Sequence, residues 1–97
     1  MINIGLYYKV KPGMESEFES KFNAAVSAIK KAGFGCIDAR LYKEVSSQNE
    51  YLLYTEWNDM DGFKQFIKSE AYKETVAAGR AIIEGMPQHR IFTEAKH

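Results

Sequence analysis

The chain is short of several things, and each shortage narrows what it does. Its single cysteine, Cys36, cannot form an intrachain disulfide, so a reducing cytoplasm is the expected setting. Two prolines and no low-complexity run leave no room for a proline-rich linker. Net charge is missing too: thirteen Lys and Arg face thirteen Asp and Glu, interspersed along the chain. A neutral chain lacks the basic footprint that a phosphate backbone demands, which argues against nucleic acid as a partner. No apolar run is long enough to cross a bilayer, so no membrane association is expected. The start, Met1 to Gly5, has neither a charged n-region nor a long h-region and reads as a strand. No Cys/His cluster has metal-ligand spacing and no G-x-G-x-x-G occurs, so neither a metal nor any other cofactor is expected from motifs.

What is abundant is aromatic. Six Tyr, six Phe and one Trp make up 13% of the 97 residues, enough for a bulky core and for a cleft that holds a flat apolar molecule. The length suits one domain over residues 1–97. A chain this size buries only roughly 60–65% of its unfolded surface, so a dimer interface would add useful apolar burial.

Residues 2 to 11 alternate, with Ile2, Ile4, Leu6, Tyr8 and Val10 on one face, which predicts a strand closed by Pro12-Gly13. From Met14 to Ala32, the residues Met14, Phe18, Phe22, Ala25, Val26 and Ile29 recur at steps of three and four, giving a helix. Its early turns carry Glu15, Glu17 and Glu19 and its last turn Lys30 and Lys31, both suited to the helix dipole; Gly33 terminates it. Phe34 to Val45 reads as a second strand with Cys36, Asp38, Arg40 and Tyr42 on one face and Ile37, Ala39, Leu41 and Lys43 on the other. After the polar turn Ser46–Asn49, Tyr51 to Trp57 is an antiparallel third strand. Asp59 and Asp61 are cap residues for a helix with Phe63, Phe66 and Ile67 on one face. Ser69 caps a continuation in which Tyr72, Val76, Gly79 and Ile83 extend the stripe to about Glu84. Arg90 to Glu94 is the last strand, followed by a frayed Lys96-His97 end.

This order, βαββαβ, predicts an α+β, ferredoxin-like plan: an antiparallel four-stranded sheet with both helices on one face. Two helices cover one face only, yet strands one and three carry apolar residues on both sides. A second copy of the chain is the expected cover, giving a C2 homodimer.

The stretch 50–73, EYLLYTEWNDMDGFKQFIKSEAYK, together with the Tyr-Lys-Val-Lys-Pro-Gly end of strand one and the paired phenylalanines of the first helix, resembles the antibiotic biosynthesis monooxygenase family of dimeric α+β barrels. Nearly the whole chain takes part in the resemblance. The family contains cofactor-free quinol-type monooxygenases and haem-degrading monooxygenases, and segment 50–73 is most similar to the haem-degrading branch. That branch uses an asparagine on strand one, a tryptophan on the first part of helix two and an axial histidine further along; the matching positions here are Leu6, Phe66 and Val76. In the cofactor-free branch a tryptophan matches Trp57, while its asparagine and tyrosine match Leu53 and Phe63.

The resemblance places the cleft on the helix side of the sheet, lined by Leu6, Tyr8, Leu53, Thr55, Trp57, Phe63, Phe66 and Val76. It implies a monooxygenase-like protein acting on an aromatic or quinol-type molecule without bound metal or flavin, and the lone cysteine adds the cytoplasmic setting. Trp57 would stack the ring and Tyr8 would contact an oxygen. A non-catalytic module binding a small ligand in the same cleft is the alternative, and haem binding or breakdown a third. The residues also carry plainer readings: a lone Trp at a strand end is commonly core, Tyr8 commonly a half-buried strand residue, Cys36 a small hydrophobe, and His89-Arg90 an exposed loop pair able to meet an anion.

Overall fold

Alternation along the first strand, β1 (Ile2–Lys9), sends Ile4, Leu6 and Tyr8 into the core and leaves Tyr7 and Lys9 exposed. This computed structural model describes residues 1–95; Lys96 and His97, and with them the expected frayed end, lie outside the described residues. After β1 come α1 (Glu15–Lys31), β2 (Cys36–Lys43), β3 (Glu50–Trp57), α2 (Met60–Ile67), α3 (Glu70–Gly79) and β4 (Gln88–Phe92). The sheet order is β2-β3-β1-β4, with every neighbouring pair antiparallel. This is the expected ferredoxin-like α+β plan, with the helices on one face.

The core lies between that face and the helices. From α1 it takes Phe18, Phe22 and Ile29, from β3 Tyr51, Leu53, Thr55 and Trp57, and from α2 Phe63 and Phe66. The caps work as their residue types dictate. Asp59 accepts from the Gly62 N–H at the start of α2, and Ser69 accepts from the Tyr72 N–H at the start of α3 while donating to the Phe66 carbonyl. Gly62 is required sterically: a Cβ there would overlap the Phe34 carbonyl oxygen, so α2 lies directly against the loop before β2.

The chain departs from the sequence reading in three places. A bulge between Cys36 and Asp38 pairs Cys36 with Trp57 and Asp38 with Glu56. Cys36 therefore turns into the core, opposite in sense to Asp38, and Ile37 is left exposed. The extra residue in the bulge cancels the simple alternation. Helix α3 stops at Gly79 and does not run to Glu84, because the next residues pair with the end of β1. Lys11 N–H donates to the Ile82 carbonyl at 2.8 Å, Glu84 N–H donates to the Lys9 carbonyl at 2.7 Å, and Val10 bridges Ile83. The last strand begins at Gln88, two residues early, where it gains β1 as partner.

The other sheet face has no helix over it. Asn3 Nδ2 donates to the Tyr54 hydroxyl at 2.6 Å, which donates to Glu56 Oε2 at 2.9 Å. Arg40 pairs with Asp38 at 2.9 Å, and Arg90 lies 5.6 Å from the Tyr7 ring centre. Among the described residues no helix is long and apolar enough to cross a membrane.

Candidate functional site

The helix-side core is not filled throughout. Aromatic side chains gather at its two ends. At one end Tyr8, Phe18, Phe22 and Tyr51 interlock, with Phe18 and Phe22 stacked at 4.1 Å and Tyr8 edge-on to Phe22 at 5.0 Å. At the other end Trp57 meets Phe63 and Phe66 at 5.5 Å each, and Phe66 meets Tyr72 at 5.2 Å. Between them the facing side chains are short, Ala25 from α1 and Val76 from α3, and a cavity of about 240 Å³ opens. Leu6 and its cross-strand partner Leu53 form the sheet side, Phe22 and Phe66 the two ends, and Tyr72 and Val76 the α3 side.

Of the eight residues expected in the cleft, five come together here: Leu6, Tyr8, Leu53, Phe66 and Val76. The other three, Thr55, Trp57 and Phe63, are buried outside the lining. Trp57 and Thr55 are 0% exposed. The indole Nε1–H donates to Thr55 Oγ1 at 2.7 Å, and Thr55 Oγ1 donates to the Ile4 carbonyl at 2.9 Å. Every polar atom of the tryptophan is thus satisfied in the core, and Phe66 stands between its ring and the cavity. Tyr72 and Arg80 line the cavity and were not singled out from sequence as site residues. Their signal was present: Tyr72, Val76 and Arg80 follow one another at four-residue steps, so they share a helix face.

Tyr8 brings a phenol to the border of this space and also borders the depression next to it. The residue is 8% exposed, and its hydroxyl, which has no hydrogen-bond partner among the described residues, is not sealed off in the core. Burial pushes its phenol well above the usual range, and the nearby Tyr72 adds to the shift. Tyr8 therefore stays protonated at neutral pH and acts as a donor, not as a base. Among the described residues the lining contains no carboxylate and no histidine. What the arrangement can do is hold a flat apolar body and give hydrogen bonds to oxygens on it, with Tyr8, Tyr72 and Arg80 as the donor-bearing side chains.

A wider depression of about 450 Å³ lies at the neighbouring strand ends, lined among others by Lys9, Lys43, Glu44, Glu50 and Glu84. Its charges compensate one another: Lys9 with Glu84 at 4.0 Å, and Lys43 with Glu19 at 3.9 Å, where Glu19 also accepts from the Tyr51 hydroxyl. Cys36 is half-buried, its thiol pushed up mainly by burial, and lies outside both spaces. No group of three His, Cys, Asp or Glu among the described residues could hold a metal ion.

Comparison with known proteins gives the family and the fold. Residues 1–78 match the family model described as antibiotic biosynthesis monooxygenase. A crystal structure of an antibiotic biosynthesis monooxygenase superposes with a TM-score of 0.90 at 12% identity, covering 99% of this chain and 100% of that one. SnoaB, a cofactor-independent oxygenase from Streptomyces nogalater, superposes with a TM-score of 0.85 at 23% identity, covering 99% of this chain and 94% of the other. These likenesses establish the fold. A protein of Natronomonas pharaonis, named as a candidate heme-binding protein, is 27% identical over 86 residues, which is 89% of this chain and 14% of that protein. The chain thus spans about one seventh of that curated relative's length.

Proposed function

The chain belongs to the antibiotic biosynthesis monooxygenase family, and from that premise we propose that it binds a small aromatic or quinol-type molecule in the helix-side cavity and oxygenates it without a bound metal or flavin. The observation that carries this reading is the Tyr8 phenol, borne on a buried residue and without a hydrogen-bond partner among the described residues, its hydroxyl not sealed off in the core, at the border of a mostly apolar space. Such a donor lowers the cost of a negative charge developing on a substrate oxygen. An electron-rich anion of this kind can itself pass electrons to dioxygen, and the protein's part is a dry, shaped site. Leu6, Leu53 and Val76 hold the body of the molecule. Phe66 presents the stacking face, with Trp57 packed behind it to hold it in place. The cavity falls just below the range of about 300–1,000 Å³ typical of drug-sized ligands, which suits two or three fused rings.

The haem reading has the curated relative in its favour, but the cavity lining does not fit that group. The side chains here that could meet iron are the phenols of Tyr8 and Tyr72 and the thioether of Met86. Burial works against the anionic phenolate at Tyr8, and Met86 is 89% exposed on the rim. Among the described residues no histidine or cysteine lines the cavity, so the usual axial ligands are missing from its described lining. Haemin titration should leave the Soret band where it lies for free haemin; a clear shift would overturn this.

Two copies of the single domain, residues 1–97, pair through the uncovered sheet face. Half-buried Leu52 and Tyr54 and exposed Tyr42 support this, as side chains that water alone would cover. Sedimentation at micromolar concentration should report a dimer, and a monodisperse monomer would count against it. A cytoplasmic setting goes with the lone thiol.

The functional test is oxygen uptake with a panel of quinols and hydroxylated polycycles. Wild-type protein should consume oxygen with at least one of them. Tyr8→Phe should lower the rate by roughly 10- to 150-fold, the worth of a hydrogen bond to a charged oxygen at about 1.5–3 kcal/mol. Tight binding without uptake would leave a non-catalytic ligand-binding module, and no binding at all would refute the site.

A further inference from the structure

Arg80 follows the last residue of α3, and its side chain lines the helix-side cavity. Among the described residues it is the one cation in that lining, and no acid shares the lining with it. Among the described residues it makes no ion pair. Glu84, four positions on, is taken by Lys9. A cation at the end of α3 also suits the helix dipole, but that role would not depend on the charge of a bound molecule. A guanidinium is a fork of donors matched to a carboxylate, and beside an apolar space its attraction is less screened than in open water.

We propose that the molecule taken by this cavity is an aromatic acid. Its flat body lies between Leu6, Leu53, Phe66 and Val76, a ring oxygen accepts from Tyr8, and its carboxylate meets Arg80. Arg80 is then a specificity-determining residue, which neither the shape of the cavity nor Tyr8 can replace. The inference rests on the cavity being the binding site and adds the charge of what binds there.

The test compares a hydroxynaphthoate with the matching hydroxynaphthamide, two probes with the same rings and the same hydroxyl, by fluorescence titration. The naphthoate should bind wild-type protein roughly 5- to 20-fold more tightly, as a charge-assisted pair at a partly shielded site allows. Arg80→Gln should abolish that preference by weakening the acid much more than the amide. Arg80→Lys should keep part of the preference, since it keeps the charge and loses the fork. Because Arg80 is exposed, both variants should melt close to wild type. Should the Gln variant melt early, the Lys variant carries the comparison. Equal binding of acid and amide by wild-type protein, or a preference that survives in Arg80→Gln, would overturn this inference and leave the cavity reading standing. Failure of wild-type protein to bind either probe would overturn both.

Discussion

Replacing Thr55 by Val asks the sharpest question of the tryptophan. The two side chains have nearly the same shape, so the change removes one oxygen and little else. That oxygen accepts the Trp57 Nε1–H at 2.7 Å, and both residues are fully buried. Without it the indole donor is stranded, at a cost of about 1–3 kcal/mol. Trp57→Phe removes the donor together with part of the ring, leaves Thr55 bonded to the Ile4 carbonyl, and should cost about 1–2 kcal/mol from the hole it creates. Once the donor is gone, Thr55→Val strands nothing. The double variant should therefore be more stable than the sum of the singles predicts, by roughly 1–2 kcal/mol. Urea unfolding of the four proteins measures this, with the slope of the transition held constant. Naphthol titration runs alongside. Thr55→Val should leave naphthol affinity within about twofold, because Trp57 stands behind Phe66 and outside the lining. Additivity within about 0.5 kcal/mol would refute the buried pair. Loss of naphthol binding in Thr55→Val, at full folding, would refute the placement of Trp57 behind the site.

Two further outcomes follow from the packing and the ionisations. Gly62→Ala would gain about 1 kcal/mol in helix propensity, yet its methyl would overlap the Phe34 carbonyl. Net destabilisation of about 1–3 kcal/mol is expected, a melting point lowered by roughly 5–15 °C; an unchanged or raised melting point would contradict the close approach of α2. Burial raises the phenols of Tyr8, Tyr51 and Tyr54, with Glu19 adding at Tyr51 and Glu56 at Tyr54. A raised folded-state value means that the folded chain holds these protons longer than the unfolded one. Their contribution is therefore intact below the ordinary phenol value of about 10 and is lost as pH climbs above it. Phenolate absorbance should show Tyr8 ionising late and together with unfolding, and early ionisation of the absorbance that Tyr8→Phe removes, while the fold is intact, would contradict its burial.

Much of the fold was legible because it depends on period and punctuation. The alternation of Ile4, Leu6, Tyr8 and Val10 fixed the core face of β1, and Asp59 and Ser69 marked the starts of α2 and α3. What the sequence could not convey depended on partners far along the chain. Periodicity put Trp57 and Leu53 on one face, and both are there, but it carried no information on depth. Only the sheet, the helices and the Thr55 hydroxyl together decide that the indole is enclosed while Leu53 borders an opening. Cys36 changed sides because a one-residue bulge is a property of pairing with β3. The end of α3 was set by the Lys11 N–H and the Lys9 carbonyl, which lie near the start of the chain. Arg80 escaped notice because a charged residue on a helix reads as solvated unless the cavity beside it is known.

The central claim is that the space beneath α3, with Tyr8 at its edge, is where a ligand goes. Val76→Phe tests it most directly, since Val76 borders the cavity, is only partly buried, and can carry a larger ring into empty space. Calorimetric titration with a hydroxynaphthoate should show that binding by wild-type protein falls at least about tenfold in the variant, a loss of about 1.4 kcal/mol or more, with the melting point held or raised. Undiminished binding by a folded Val76→Phe protein would place the ligand elsewhere and contradict the account.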